Sequence, residues 1–369
     1  MIKEYTTLGF MSGTSGDGVD ASIIRSDGET KYKVILDKYF EYNQEIYQQI
    51  HSLKQKINNE KDLIKLKKDI GELEKNITLF HANIFSKVSK NNFIDLIGFH
   101  GQTIYHNFNE KISKQLGNAN LLSQLTKKKI VYNFRENDLK NGGQGAPLTP
   151  IFHKLIINQN QIDTPSCILN LGGIANITFI PDNNINNLRS TDIGPGNCLI
   201  DEWIRLNSKS KFDASGLIAA KGKVNEVIIE QVQDLYQNIY KDQLSLDTKD
   251  FSASFARGLS LEDGAATLTE FTARIINESL YLFLKNNKNQ KINIYLCGGG
   301  RKNLELINRL KNKIQKNLKI LPIDDLGLDG DFIESQAFAF LAIRSFLGLE
   351  ISYPKTTGCL KPCVGGDVI

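Results

Sequence analysis

The residues best equipped for chemistry stand near the start of the chain, in Ser12-Gly13-Thr14-Ser15-Gly16-Asp17-Gly18. They follow an apolar run at 8–11 and precede a β-rich run at 19–25, so the pattern is strand, tight turn, strand. Glycines let the main chain bend into positive φ and let a ligand approach it closely. Ser12, Thr14 and Ser15 bring hydroxyls, and freed backbone N–H groups can form an anion-holding concavity. Asp17 and Asp20 add carboxylates of the kind a hard cation such as Mg2+ takes. The chemistry on offer is a phosphate cradle. An ordinary surface hairpin has equal standing on this stretch alone.

Four later groups could work with it. Asp192 ends a short extended piece and meets Gly194-Pro195-Gly196, a good place for a general base and equally for a helix cap. Arg135 is of a type suited to bidentate recognition of carboxylate or phosphate. It precedes Asn141-Gly142-Gly143-Gln144-Gly145, which is either a substrate loop or a connector. His100, Gln102 and Thr103 follow a buried-strand pattern at 93–99, where open α/β sheets place ligands, although a lone histidine is more often structural. Gly298-Gly299-Gly300 follows another such pattern at 292–296, and three glycines let a flat ring such as adenine lie against the main chain.

The elements that must hold these groups read as α/β. Three strands open the chain, the third at 32–42. Apolar residues at helical spacing over 46–90 predict two helices. A helix at 121–128, a strand at 129–134 and a helix from about 149 follow. The centre repeats the opening in outline: strand 166–171, the turn Gly172-Gly173-Ile174-Ala175-Asn176, strand 177–180. Two similar halves would face each other across a cleft. Helices are expected at 198–206, to about residue 238, at 265–285 and within 329–346, with 259–264 as a connector and the tail from 353 as coil.

Composition bounds the function. At 369 residues the chain suggests about two domains. A net charge of +4, from 45 basic and 41 acidic residues, argues against a nucleic-acid partner. The five cysteines are scattered with no CxxC pair, which supports neither a zinc site nor a disulfide framework. With no signal-like N-terminus and no apolar span of membrane length, a cytoplasmic protein without a membrane partner is expected.

Nine stretches in order resemble the anhydro-N-acetylmuramic acid kinase family. They are FMSGTSGDGVDAS (10–22), GFHGQTIYH (98–106), QLGNANLL (115–122), NFRENDLKNGGQGAPLTPIFH (133–153), LNLGGIANIT (169–178), TDIGPGNCLIDEW (191–203), DGAATLTEFTA (263–273), LCGGGRKN (296–303) and ESQAFAFLA (334–342).

The resemblance implies a two-domain actin-like (ribonuclease H-like) fold with an ATP and sugar cleft, divided here as 1–125 with 350–369 and 126–349. It implies hydrolytic opening of 1,6-anhydro-N-acetylmuramic acid with phosphorylation of O6 by ATP and Mg2+. Asp192 matches the family's base and Glu334 a second acidic residue at the sugar site. Ser12, Gly13, Thr14, Ser15, Gly16, Asp17, Gly18, Val19 and Asp20 match the ATP element, with Asp17 and Asp20 on the metal. Gly172, Gly173, Asn176, Gly194, Gly298, Gly299 and Gly300 would complete the nucleotide site. His100, Gln102, Thr103, Arg135, Gly143 and Gln144 would meet the sugar, Arg135 through its lactyl carboxylate. Partners would be small molecules, with a homodimer left open. Two positions depart from the family: Gly16 replaces a larger apolar residue, which would loosen the turn, and Ile193 replaces Thr, which would remove a hydroxyl beside the reacting centre. A weakened nucleotide-binding homologue and an ATP-independent hydrolase using Asp192 and Glu334 remain alternatives.

Overall fold

The computed structural model describes residues 3–237 and 245–369. In chain order the first segment carries β1 (Tyr5–Ser12), β2 (Gly18–Ser26), β3 (Tyr32–Glu41), α1 (Gln44–Lys56), α2 (Glu60–Lys65), α3 (Lys67–Val88), β4 (Leu96–Asn107), β5 (Ile112–Leu116), α4 (Ala119–Thr126), β6 (Lys129–Tyr132), α5 (Glu136–Lys140) and α6 (Pro150–Gln159). The middle carries β7 (Ser166–Leu171), β8 (Ile174–Ile180), β9 (Arg189–Pro195), α7 (Cys198–Asn207), α8 (Glu226–Gln237), α9 (Leu261–Phe283), β10 (Ile292–Cys297), α10 (Leu304–Lys313) and β11 (Leu318–Pro322). The last segment carries α11 (Ile333–Phe346), α12 (Pro354–Thr357) and β12 (Asp367–Val368).

The chain forms two compact units, residues up to Gln161 with Phe332–Ile369, and Ile162–Asp331. In the first, the strand order is β12-β6-β4-β1-β2-β3, with β5 on β4. Strands β1, β2 and β3 are an antiparallel meander, and β4 and β6 run parallel to β1. The second has the order β11-β10-β7-β8-β9, with β7, β8 and β9 antiparallel and β10 and β11 parallel to β7. Parallel neighbours need a crossover, and helices supply it in both units. The same five-strand order, 3-2-1-4-5, therefore occurs twice. This is a doubled ribonuclease H-like unit, the actin-like fold.

Each sheet is apolar on the face its crossover helices cover. Leu8, Phe10, Val19, Ala21 and Ile23 pack with Ile46, Ile50, Leu73 and Ile77 of α1 and α3. In the second unit Leu169, Leu171, Ala175 and Ile177 pack with Leu268, Phe271 and Ile275 of α9. On the other face of the first sheet α11 lies on a glycine floor. Gly9 and Gly98 are cross-strand partners, and a Cβ on either would meet the Ser335 or Phe338 carbonyl of α11 at 2.1 or 2.4 Å.

Several elements differ from expectation. Residues 46–90 make three helices, because the chain breaks at Ile57 and again at Leu66. His100, Gln102 and Thr103 lie inside β4, which continues to Asn107 because β5 pairs with its far half. Helix α9 starts at Leu261, where the Ser260 side chain accepts from Asp263 N. The tail is ordered: β12 pairs antiparallel with β6, Asp367 opposite Tyr132. Sheet membership also moves the unit boundaries, since β6 pairs with β4 and α11 packs on β1, so both belong to the first unit. Residue 238, the expected end of α8, lies outside the described residues. Among the described residues, no helix is long and apolar enough to cross a membrane.

Candidate active site

The loop between β1 and β2 is a closed turn: Gly16 N donates to Gly13 O at 3.2 Å, and Gly16 has φ +66°. A Cβ there would meet Ile50 Cγ2 at 3.0 Å. The positive φ favours glycine at 16, and a Cβ there would need the Ile50 side chain to give by a few tenths of an ångström. Gln102 Nε2 donates to Gly13 O at 2.9 Å and Lys54 Nζ to Thr14 O at 2.6 Å. In a trans peptide the next N–H points opposite the carbonyl, so the N–H groups of Thr14 and Ser15 are turned away from those two donors. Ser12 Oγ lies 3.0 Å from the Tyr42 hydroxyl. Burial, then the charges of Asp17, Glu41 and Asp20, push the Tyr39 phenol up. Lys54, Tyr39, Tyr42 and Glu41 carry no motif that would mark them in the sequence.

On β4, His100 is buried, and burial first, then the Arg135 charge, holds its pKa well below the usual histidine value. Its Nε2 accepts from Arg135 Nε at 3.2 Å and Nη2 at 2.9 Å, so Nδ1 carries the proton and donates to Gly101 O at 2.8 Å. Arg135 Nη1 donates to Gly145 O at 2.7 Å. The Gly-rich loop is itself fastened by buried Asp138, which accepts from Gly145 N at 2.7 Å and the Thr357 hydroxyl at 2.6 Å. Gly143 leaves no room for a Cβ, which would stand 2.2 Å from Asp138 Oδ2. Gln144 N donates to Thr357 O at 2.8 Å, and Thr103 Oγ1 accepts from Gln115 Nε2 at 3.2 Å. Segment 141–145 is therefore an anchored platform for Arg135.

Glu334 sits half-buried in the first turn of α11. The two residues after it lock that turn to the hairpin strands. Ser335 Oγ lies 2.6 Å from Ser22 Oγ, which donates to Asp37 Oδ1 at 2.6 Å, and Gln336 Nε2 donates to Asp37 Oδ2 at 2.8 Å. Sequence gives no signal for this network, since its members lie at opposite ends of the chain.

In the second unit three glycine turns converge. Gly196 N donates to Gly173 O at 2.9 Å and Asn197 N to Gly172 O at 2.8 Å. A Cβ on Gly298 or Gly300 would stand 2.8 Å from Leu171 O. Gly172, Gly173, Gly196, Gly298 and Gly300 are thus brought together, with Gly194 two residues earlier opposite Ala175, while a Cβ on Gly299 would meet nothing within 4 Å. Arg301 pins this turn through Asp324 at 2.8 Å and Asp329 at 3.2 Å.

Asp192 lies within β9 and not at its end. Its Oδ2 accepts from Leu246 N at 2.7 Å. The cap of α7 is Asn197, so the capping role for Asp192 falls away. Ile193 is 2 % exposed and belongs to the core with Ala175 and Ile177. Its side chain points away from the face Asp192 occupies, and a Thr hydroxyl there would not stand beside Asp192.

Among the described residues, the group of three or more His, Cys, Asp or Glu side chains close enough to share an ion is Asp138, Cys359 and Cys363. Both Asp138 oxygens already accept hydrogen bonds, so this group serves as the anchor of the Gly-rich loop. Asp17 and Asp20 are not part of such a group.

A doubled ribonuclease H-like unit with glycine turns at its strand ends defines the class of actin-like fold proteins. Within that class the sequence profile described as "Anhydro-N-acetylmuramic acid kinase" matches residues 5–369. The chain belongs to the anhydro-N-acetylmuramic acid kinase family. A relative of that description from Pelagibacter ubique is 55% identical over 100% of this chain and 99% of its own. One from Zymomonas mobilis is 36% identical over 98% of each chain. A solved structure, the activator of the 2-hydroxyisocaproyl-CoA dehydratase from Clostridium difficile with bound ADPNP, aligns with 92% of this chain and 94% of its own at TM-score 0.42 and 11% identity, too remote to carry any residue's role.

Proposed function

We propose that the protein uses ATP and water to convert 1,6-anhydro-N-acetylmuramic acid into N-acetylmuramic acid 6-phosphate and ADP, a step of cell-wall recycling performed on small molecules in the cytoplasm. The observation that carries the reading is Asp192, whose carboxylate is held by the Leu246 N–H within β9, in the strand that runs into the glycine turns. A carboxylate so fixed is suited to take a proton from water as it attacks the anomeric carbon. The C1–O6 bond then breaks, and O6 receives the γ-phosphoryl group.

The hairpin loop, with the Thr14 and Ser15 N–H groups turned away from Gln102 and Lys54, supports a phosphate cradle. Gly172, Gly173, Gly194 and Gly298–Gly300 would meet the rest of the nucleotide. Arg135, held by His100 and Gly145, supports recognition of the lactyl carboxylate. Glu334 would orient sugar or water. Asp17 and Asp20 offer the oxygen donors Mg2+ prefers, and two carboxylates suit an ion that keeps several waters and binds mainly through phosphates. When bound, Mg2+ would neutralise charge on the transferring phosphate.

The test is ADP release coupled to detection of the sugar phosphate, with Asp192→Asn beside the wild type. Turnover by the wild type and none above background by the variant are expected. Normal turnover by Asp192→Asn would remove the assigned base, and ring opening without ATP would favour a hydrolase.

A further inference from the structure

Asn176 stands directly opposite Asp192 in the β8–β9 register. Residues opposite one another in antiparallel strands share a face of the sheet, with Cβ atoms about 5 Å apart. The neighbouring pair confirms the facing, since the Thr178 and Ser190 hydroxyls lie 3.4 Å apart. Ala175, Ile177 and Ile193 enter the apolar core on the opposite face. Between Ala175 and Asn176 the register shifts, leaving Ile193 as the extra residue of a β-bulge immediately after Asp192. Bulges of this kind re-aim side chains beside active sites.

The carboxamide oxygen of Asn176 is buried and has no hydrogen-bond partner among the described residues. Lone buried acceptors are rare in native structures and call for a cause. The reaction proposed above supplies one. The attacking water donates a lone pair to C1 and one proton to Asp192. Its other proton stays on the oxygen and ends on the anomeric hydroxyl of the product. As C1–O forms, C1–O6 breaks with its electron pair on O6. That pair forms the bond to the γ-phosphorus while the bond from that phosphorus to ADP breaks, and Asp192 later passes its proton to bulk water.

We infer that Asn176 is a catalytic residue whose Oδ1 accepts a hydrogen bond from the proton the water keeps. Two acceptors then hold the two protons, Asp192 one and Asn176 the other, and the lone pair that remains is directed at the anomeric carbon. The Leu246 N–H on Asp192 Oδ2 fixes the first acceptor, and the β8–β9 pairing fixes the second. This reassigns Asn176 from the nucleotide, where the family resemblance places it, to the water. It rests on Asp192 being the base.

The experiment measures kcat and both KM values for Asn176→Ala, with calorimetric binding of a non-hydrolysable ATP analogue. A misdirected nucleophile is expected to lower kcat roughly 10- to 100-fold while both KM values and analogue affinity stay within about twofold of wild type. Asn176→Ser, too short to reach the water, takes its place with the same expectation if the alanine variant melts early. A raised KM for ATP with kcat retained, or an unchanged kcat, overturns the inference. Failure of the functional reading looks different: the wild type itself would form no sugar phosphate, or Asp192→Asn would turn over normally.

Discussion

His100 and Arg135 are joined by two hydrogen bonds, from Nε at 3.2 Å and Nη2 at 2.9 Å, both to the imidazole Nε2. A histidine beside a candidate sugar site invites an acid–base role. The bonding denies it one, because a ring nitrogen that accepts from a guanidinium cannot hold a proton. His100 instead fixes the direction in which Arg135 presents its charge. Removing the acceptor with His100→Ala is expected to raise KM for the anhydro-sugar about tenfold, the scale of one hydrogen bond to a charged group. KM for ATP should stay unchanged. An equal rise in both would mean the histidine supports the unit as a whole.

Buried histidines also set the acid sensitivity of the fold. Burial pushes His81 down to about 4, against the pull of its bond to Ile77 O, and His153 down to about 3, while His100 is lowered well below its ordinary value. Above an unfolded value near 6.5 neither state is protonated, and these groups contribute no pH dependence. Between that value and the folded ones, the unfolded chain takes protons that the folded chain refuses. Stability is therefore lost as pH falls below about 6.5, by roughly 1 kcal/mol per pH unit for each histidine. Melting temperatures from pH 8 to 5 should be flat above 7 and fall steeply below 6. A flat profile down to pH 5 would refute the assignment.

Two glycines separate ligand contact from folding. A Cβ on Gly13 would meet nothing closer than Ser15 Oγ at 3.9 Å, and one on Gly299 nothing within 4 Å. Neither residue has positive φ. Gly13→Ala and Gly299→Ala should thus melt with the wild type. If phosphate and nucleoside approach these positions, each variant should raise KM for ATP, by about tenfold for a contact that must be given up. Unaltered ATP kinetics in Gly299→Ala would remove that turn from the nucleotide site.

The parts of this molecule that the sequence makes legible are those written locally. The hairpin loop, the Asp192 strand and the glycine turn after β10 show themselves through glycine spacing and apolar runs, which need no partner to be read. What escapes is set by contacts between distant positions. Nothing near Gly9 says that Ser335 will lie on it, and nothing near Tyr132 says that Asp367 will pair with it. The unit boundaries depend on such pairings, so motif halves do not locate them. The Asp138 carboxylate under the Gly-rich loop and the bulge at Ile193 are hidden for the same reason.

The bulge bears on the last expectation. Thr at 193 would restore the residue usual in the family, and from sequence alone that change should help catalysis. Here the side chain at 193 lies in the apolar core with Ala175 and Ile177, on the face away from Asp192. Ile193→Thr would bury a hydroxyl there and remove apolar volume, a change that typically costs about 1–3 kcal/mol. The expected result is a lower melting temperature with kcat and both KM values near those of the wild type. A several-fold rise in kcat would instead put the Thr hydroxyl at the reacting centre, and would mean that β9 turns residue 193 toward the same side as Asp192.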